Sequence, residues 1–277
     1  MRFRAAIIIA ALALCVAPAA AQTVVHFPSQ ASGKAVVLDA LLYEPTAGGK
    51  HPAVVFMHGC GGLWSSKHEP NKRETAWERL LVDRGYAVLM VDSFTPRGVK
   101  NMCSPATFDA GIYMARTYDA YAALAFLQAQ PLVDAERVAV MGWSEGGGTV
   151  LFTVGSKGPQ RGSGFRAAVA FYPGSCNVTR LGENWKSAVP LLVLIGEKDV
   201  WTPFAPCVLA LDAAKPNVQI EVYPGAYHDF DWPDDPVHEL RAYTTRSGVV
   251  PIAGENPAAH AAALKLVPEF LEQHLER

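Results

Sequence analysis

Residues 137–146 read Arg-Val-Ala-Val-Met-Gly-Trp-Ser-Glu-Gly, and Gly147 and Gly148 follow directly. Residues 137–141 are a short apolar run of strand character, and residues 146–154 are able to form a helix. A G-x-S-x-G pentapeptide between such elements is a tight strand-to-helix turn. There the serine backbone is strained and the hydroxyl stands clear of the sheet. Gly142 and Gly146 omit the Cβ atoms that would collide across the turn, while Gly147 and Gly148 let the helix approach the strand. The helix N-terminus also aims amide N–H groups and partial positive charge at the serine. Ser144 therefore reads as a nucleophile on an α/β sheet.

Working outward, similar apolar runs recur at residues 53–57, 86–92, 167–172, 191–195 and 218–223. They are rich in Val, Ile and Leu without alternation, which suits parallel strands covered on both faces. Residues 23–27 and 35–42 predict an opening hairpin across Ser32-Gly33. Helix-like stretches lie between the runs at 69–84, 108–130, 146–154, 203–214 and 257–275. The pattern predicts a doubly wound α/β sheet of about eight strands, mostly parallel, with helices on both faces. Residues 229–256 read as a loop, locally acidic through Asp231, Asp234 and Asp235. Residues 22–277 are expected to form one domain.

The N-terminus reads differently. Arg2 and Arg4 precede an apolar run at residues 5–16, and Ala19-Ala20-Ala21 supplies small residues, so residues 1–21 are expected to be a secretory signal. The implied destination is the periplasm or the medium. Four cysteines remain beyond it: Cys60, Cys103, Cys176 and Cys207. An even number in an oxidising compartment favours disulfides, with three possible connectivities. Half the 277 residues are hydrophobic and the formal net charge is −2, which excludes wholesale disorder and argues against a nucleic-acid partner. No internal apolar stretch reaches the roughly 18 residues that span a bilayer.

A serine needs a base and an acid that orients it, and in sheets of this kind the chain order is Ser, Asp or Glu, then His. The run 191–195 leads into Gly196-Glu197-Lys198-Asp199. The run 218–223 leads into Pro224-Gly225-Ala226-Tyr227-His228. Both loops fall at carboxyl ends of strands, where ligand-facing chemistry gathers in open α/β sheets. His228 and Asp199 are the expected partners of Ser144, with Glu197 an alternative acid. His238, His260 and His274 read as surface residues. His228, Asp229, Asp231 and His238 cluster without a recognised metal-ligand spacing, and neither a metal nor another cofactor is expected.

Acyl transfer also requires donors for a developing oxyanion. The expected ones are the backbone N–H of Glu145 and an N–H from His58-Gly59-Cys60-Gly61-Gly62, Cys60 ahead of Gly61. His58 is expected to brace that loop. Trp64, Phe94, Trp143, Tyr172, Trp201 and Trp232 lie in or beside the loops around this centre and are expected to line an apolar pocket.

These features resemble the dienelactone hydrolase family of the α/β-hydrolase superfamily. The resemblance rests on His58-Gly59-x-Gly61-Gly62, Gly142-Trp143-Ser144-Glu145-Gly146-Gly147, Gly196-Glu197-Lys198-Asp199 and residues 223–230, in the family's order over most of the chain. It implies an α/β-hydrolase fold and a triad of Ser144, Asp199 and His228. It further implies a carboxylic-ester hydrolase acting on a small-molecule ester or lactone. The namesake enzymes are similar but use cysteine at the elbow. They also hold a substrate carboxylate with arginines; Arg97 matches one such position, and no arginine closely follows His228 to match the other. Strand adjacency in the superfamily implies the pairs Cys60–Cys103 and Cys176–Cys207. A small peptidase or amidase of the same fold and a non-catalytic exported binding protein are the alternatives.

Overall fold

The computed structural model describes residues 21–276 apart from 32, 34, 157, 160–163 and 215. Residues 1–20 of the expected signal, and Ser32 of the expected hairpin turn, lie outside the described residues. Eight strands form one sheet: β1 (Ala21–Pro28), β2 (Val37–Glu44), β3 (His51–Met57), β4 (Ala87–Asp92), β5 (Val133–Trp143), β6 (Ala167–Phe171), β7 (Leu191–Gly196) and β8 (Val218–Tyr223). Their order is β1-β2-β4-β3-β5-β6-β7-β8. The β1–β2 and β2–β4 pairs are antiparallel, and every pair from β4 to β8 is parallel.

The non-alternating runs are explained by burial on both faces: every residue of β3, β4 and β7 is buried. Side chains of one parity, such as Val55, Leu89 and Val140, pack with α2 (Ala110–Gln128) and α3 (Glu145–Val154). Those of the other parity, such as Phe56, Met90 and Met141, pack with α1 (Lys72–Val82) and α6 (Pro257–Leu275). Two shorter helices, α4 (Val178–Leu181) and α5 (Phe204–Leu211), complete the set.

Chemistry sets several helix boundaries. Asp109 accepts the amides of Gly111 and Ile112, so α2 starts at Ala110. Asn256 caps α6 with Pro257 at its first position, where the missing N–H costs nothing. The helix predicted over 69–84 is shorter, because Asn71 and Pro70 still belong to a loop pinned by Asn71 N–H to Leu63 O at 3.0 Å and by a Trp64–Pro70 bridge. The 229–256 segment is mostly loop, as read, but carries a two-stranded ribbon of β9 (His238–Glu239) and β10 (Ile252–Ala253). No helix among the described residues is long and apolar enough to cross a membrane.

Candidate active site

Ser144 follows β5 directly and caps α3, with φ 54° and ψ −115°, outside the regions L-residues favour. The strain is held by three backbone bonds: Ser144 N–H donates to Phe171 O, and Ser144 O accepts from Gly148 and Gly174. The packing also requires Gly146. A Cβ there would stand 2.0 Å from Met57 O and 2.5 Å from His58 O, so the turn and the end of β3 touch backbone to backbone.

The Ser144 Oγ lies 2.9 Å from His228 Nε2, and His228 Nδ1 lies 2.7 Å from Asp199 Oδ2. Asp199 is fixed in turn by the amides of Trp201 and Thr202 on Oδ1, at 2.8 Å each, and by the Thr202 hydroxyl on Oδ2 at 2.7 Å. Glu197, the other acid of that loop, instead accepts the Gly225 amide at 2.9 Å and closes the turn after β8. The acid facing the imidazole is therefore Asp199. Burial opposes charge on His228, but the carboxylates of Asp199 and Asp229 outweigh it and hold its pKa above the ordinary histidine value.

The glycine loop after β3 forms the facing wall. His58 is buried and braces it: Nδ1 lies 2.7 Å from Gly59 O and Nε2 accepts the Ser93 amide at 3.3 Å. Burial and the neighbouring Arg116 push its pKa down to about 3, so it stays neutral. Arg116 is itself buried, bonding Glu145 Oε1 at 2.7 Å and the His58 carbonyl. Cys60 is tied twice to the following loop, by its disulfide to Cys103 and by Met102 N–H on its carbonyl at 2.8 Å. The second disulfide joins Cys176 to Cys207. Both pairs are those the resemblance implied. Glu145 is the first residue of α3, so its amide has no acceptor within its own helix.

Ser144 sits where two open clefts meet. One, of about 320 Å³, is lined by Gly59, Cys60, Arg73, Trp201, His228, Asp229, Trp232 and His238 among others. The other, about 660 Å³, runs past Met102, Phe108, Tyr113, Arg180 and Arg246.

Four expected substrate contacts are corrected. The Arg97 guanidinium makes a two-pronged ion pair with Asp119, at 2.8 and 2.9 Å, and also donates to Ser93 O, so it is spent inside the fold. Trp143 is fully buried, its indole N–H on Asp231 at 2.8 Å. Phe94 is 1% exposed and packs edge-on against His58. Trp64 bonds Asp92 and lines a separate hollow on the far side of the glycine loop. In each case a residue near the site in sequence is pointed away by its own buried partner. Of the other aromatics, Trp201 and Trp232 do line the cleft, while Tyr172 is buried behind His228 with ring centroids 4.5 Å apart. His238 is exposed, as read, and also lines the cleft. His260 is buried against Glu255 at 2.7 Å.

Sequence reading missed Arg73. It lies on α1 but is 3% exposed, with Nη1 on Tyr172 Oη at 3.1 Å and on Asp229 Oδ1 at 2.7 Å, and Nη2 on Glu74 at 2.8 Å. Its only local signal is an arginine in the first turn of a helix between turn residues, which solvent-exposed helices share. Among the described residues, no group of three or more His, Cys, Asp or Glu is disposed to hold a metal ion.

Sheet order, serine elbow and loop placement define an α/β hydrolase. The dienelactone hydrolase family model matches residues 38–275, and the chain belongs to that family and is a hydrolase. No curated protein sequence matches the chain. Among solved structures it is similar to a dienelactone hydrolase-like promiscuous phosphotriesterase from metagenomic libraries (21% identity, 92% of this chain and 99% of that one, TM-score 0.65). It is likewise similar to a dienelactone hydrolase from Anabaena variabilis (21%, 92% and 99%, 0.60). An acylaminoacyl peptidase from Pyrococcus horikoshii aligns over 95% of this chain and 43% of its own (17%, 0.65). At these identities the likeness is one of fold.

Proposed function

We propose that the chain is an exported serine hydrolase that cleaves a small-molecule ester or lactone through an acyl-enzyme. The observation that carries the reading is the unbroken line Ser144 Oγ–His228 Nε2–His228 Nδ1–Asp199 Oδ2, at 2.9 and 2.7 Å across the two gaps. With Asp199 accepting the Nδ1 proton, Nε2 is free to take the serine proton as Oγ attacks the carbonyl. The imidazolium so formed gives that proton to the leaving alkoxide, and a water, deprotonated by the same nitrogen, releases the acid. The amides of Glu145 and Cys60 are the donors for the tetrahedral oxyanion, each contributing about 3 kcal/mol. Their loops are pinned before substrate arrives, as electrostatic stabilisation requires.

The two disulfides support an oxidising destination, periplasm or medium, for a mature chain beginning after residue 21. N-terminal sequencing of the exported protein tests that start site. The hydrolytic reading is tested with a fluorophosphonate probe. Wild type is expected to label and Ser144→Ala is not. Absence of labelling on folded wild type would leave a binding protein of the same fold. A panel of p-nitrophenyl esters of rising chain length, lactones and aminoacyl amides then separates esterase from peptidase.

A further inference from the structure

Behind His228 lies a buried polar cluster that the proton relay does not use. Arg73 on α1 holds Asp229, the residue after the histidine, and Tyr172, whose ring packs against the imidazole at a tilt of 56°. Asp229 has φ 56° and Tyr172 φ 32°, positive values that non-glycine residues adopt at a cost of about 1–3 kcal/mol. One strained residue thus follows His228 in the chain and another packs against its ring, and a single guanidinium nitrogen bonds both. The same guanidinium lies over Trp232, 4.7 Å from the ring, a wall of the cleft. The Tyr172 hydroxyl in turn donates a hydrogen bond to Asp231, which completes the cluster.

We propose that Arg73 is the positioning residue of this active site, its Nη1 clamping Asp229 and Tyr172 so that the His228 imidazole stays aimed at Ser144 Oγ. This rests on the serine-hydrolase reading above. An ordinary surface arginine would be solvated and free to move. Arg73 is instead enclosed, faced by Glu74, Asp229 and Tyr172, and points its fork at a fixed geometry that a lysine ammonium cannot reproduce. The clamp has an electrostatic side too. The charged or titratable groups facing His228 are Asp199 from the loop after β7, Asp229 from its own loop, Tyr172 from the end of β6 and Arg73 from α1. Ser144, Thr202 and Trp201 supply the remaining contacts, and Asp235 and His238 line the same cleft. Asp229 favours the imidazolium and Arg73 opposes it.

The test uses Arg73→Lys, Asp229→Asn and Tyr172→Phe in the full mature chain, with kcat, KM and the pH profile of kcat/KM on an ester that wild type turns over. Arg73→Lys keeps the charge and loses the fork. It is expected to lower kcat about tenfold to a hundredfold, the cost of a misplaced catalytic group, with little change in KM and the acid limb in place. Asp229→Asn removes a charge that favours imidazolium, so its acid limb is expected at lower pH, a shift a purely structural role would not produce. A folded Arg73→Lys with wild-type kcat, or an Asp229→Asn limb that stays put, overturns the proposal. Should Arg73→Lys not fold, wild-type kcat in both other variants overturns it. Wild type that neither labels nor hydrolyses any ester overturns the serine-hydrolase reading instead.

Discussion

Asp231, three residues beyond His228, accepts the indole N–H of Trp143, the residue immediately before Ser144, at 2.8 Å. One buried carboxylate therefore ties the loop of His228, the proposed base, to the strand leading into Ser144, the proposed nucleophile, across 88 residues of sequence. The same carboxylate accepts Trp77 Nε1–H at 2.8 Å from α1 and the Tyr172 hydroxyl from the end of β6. Four elements meet on a group with no solvent exposure. Fixed spacing between Ser144 and His228 follows from that junction.

Asp231→Ala would leave three buried donors without an acceptor, so it is expected to destabilise the fold by about 3–5 kcal/mol, as when one side of a buried polar cluster is removed. Asp231→Asn keeps one carbonyl oxygen and is expected to cost less, about 1–3 kcal/mol. Urea unfolding measures both. Equal stability of Asp231→Ala and wild type would mean that the junction is incidental to the fold.

Most of this architecture was legible in local chemistry. The elbow could be read because a strained serine turn needs Gly142 and Gly146, and the apolar runs because parallel strands are covered on both faces. The stretch read as helical at 257–275 coincides with α6. Strand order led to His228 and to the loop carrying Glu197 and Asp199, and the family resemblance singled out Asp199. What escaped was the direction in which side chains point. Arg97 sits within the right loop and Trp143 at the end of the right strand, yet Asp119 and Asp231, distant in sequence, turn them inward. Arg73 escaped for the converse reason, since a helix arginine reads as solvated until its partners on other elements are known. Long-range polar pairing leaves no periodicity to detect.

The Asp199 carboxylate orients His228 and raises its pKa against burial, so its removal acts on both rate and pH dependence. Asp199→Asn is expected to lower kcat by about 10⁴-fold through the wrong tautomer. Residual activity should extend to lower pH, because the imidazole is then less easily protonated. In wild type, the raised pKa makes charged His228 stabilising below the ordinary histidine pKa, a contribution lost as pH rises through the higher folded value. Activity, which needs neutral imidazole, is expected to climb over the window in which that stability declines. Parallel pH series of kcat/KM and unfolding free energy check the opposition; curves that rise together would refute it.

The two disulfides should separate by function. Cys60–Cys103 spans 43 residues and Cys176–Cys207 spans 31, so loop entropy predicts a stabilisation of about 4 kcal/mol from each. Only the first contains a residue of the proposed oxyanion hole. Paired alanine substitution at 60 and 103 is expected to lower both stability and kcat, whereas the pair at 176 and 207 lowers stability first and foremost. Equal losses of kcat per folded molecule would show that the first bridge has no special hold on the oxyanion loop.

Contact between the elbow and β3 gives a sharper steric prediction. Gly146→Ala places a methyl against two backbone carbonyls, Met57 O and His58 O, neither of which can rotate away as a side chain would. The glycine loop that begins at His58 must then shift, taking the Cys60 amide with it. Overpacking of this kind typically costs about 1–3 kcal/mol, and a carbonyl contact at 2.0 Å belongs at the upper end. Activity is expected to fall further than stability, because sub-ångström displacement of an oxyanion donor weakens its bond in the transition state most. Gly61→Ala is the control, since a Cβ there meets nothing within 4 Å, and its stability is expected within about 0.5 kcal/mol of wild type. A Gly146→Ala enzyme that folds and hydrolyses as wild type does would show that the elbow and β3 can separate without loss.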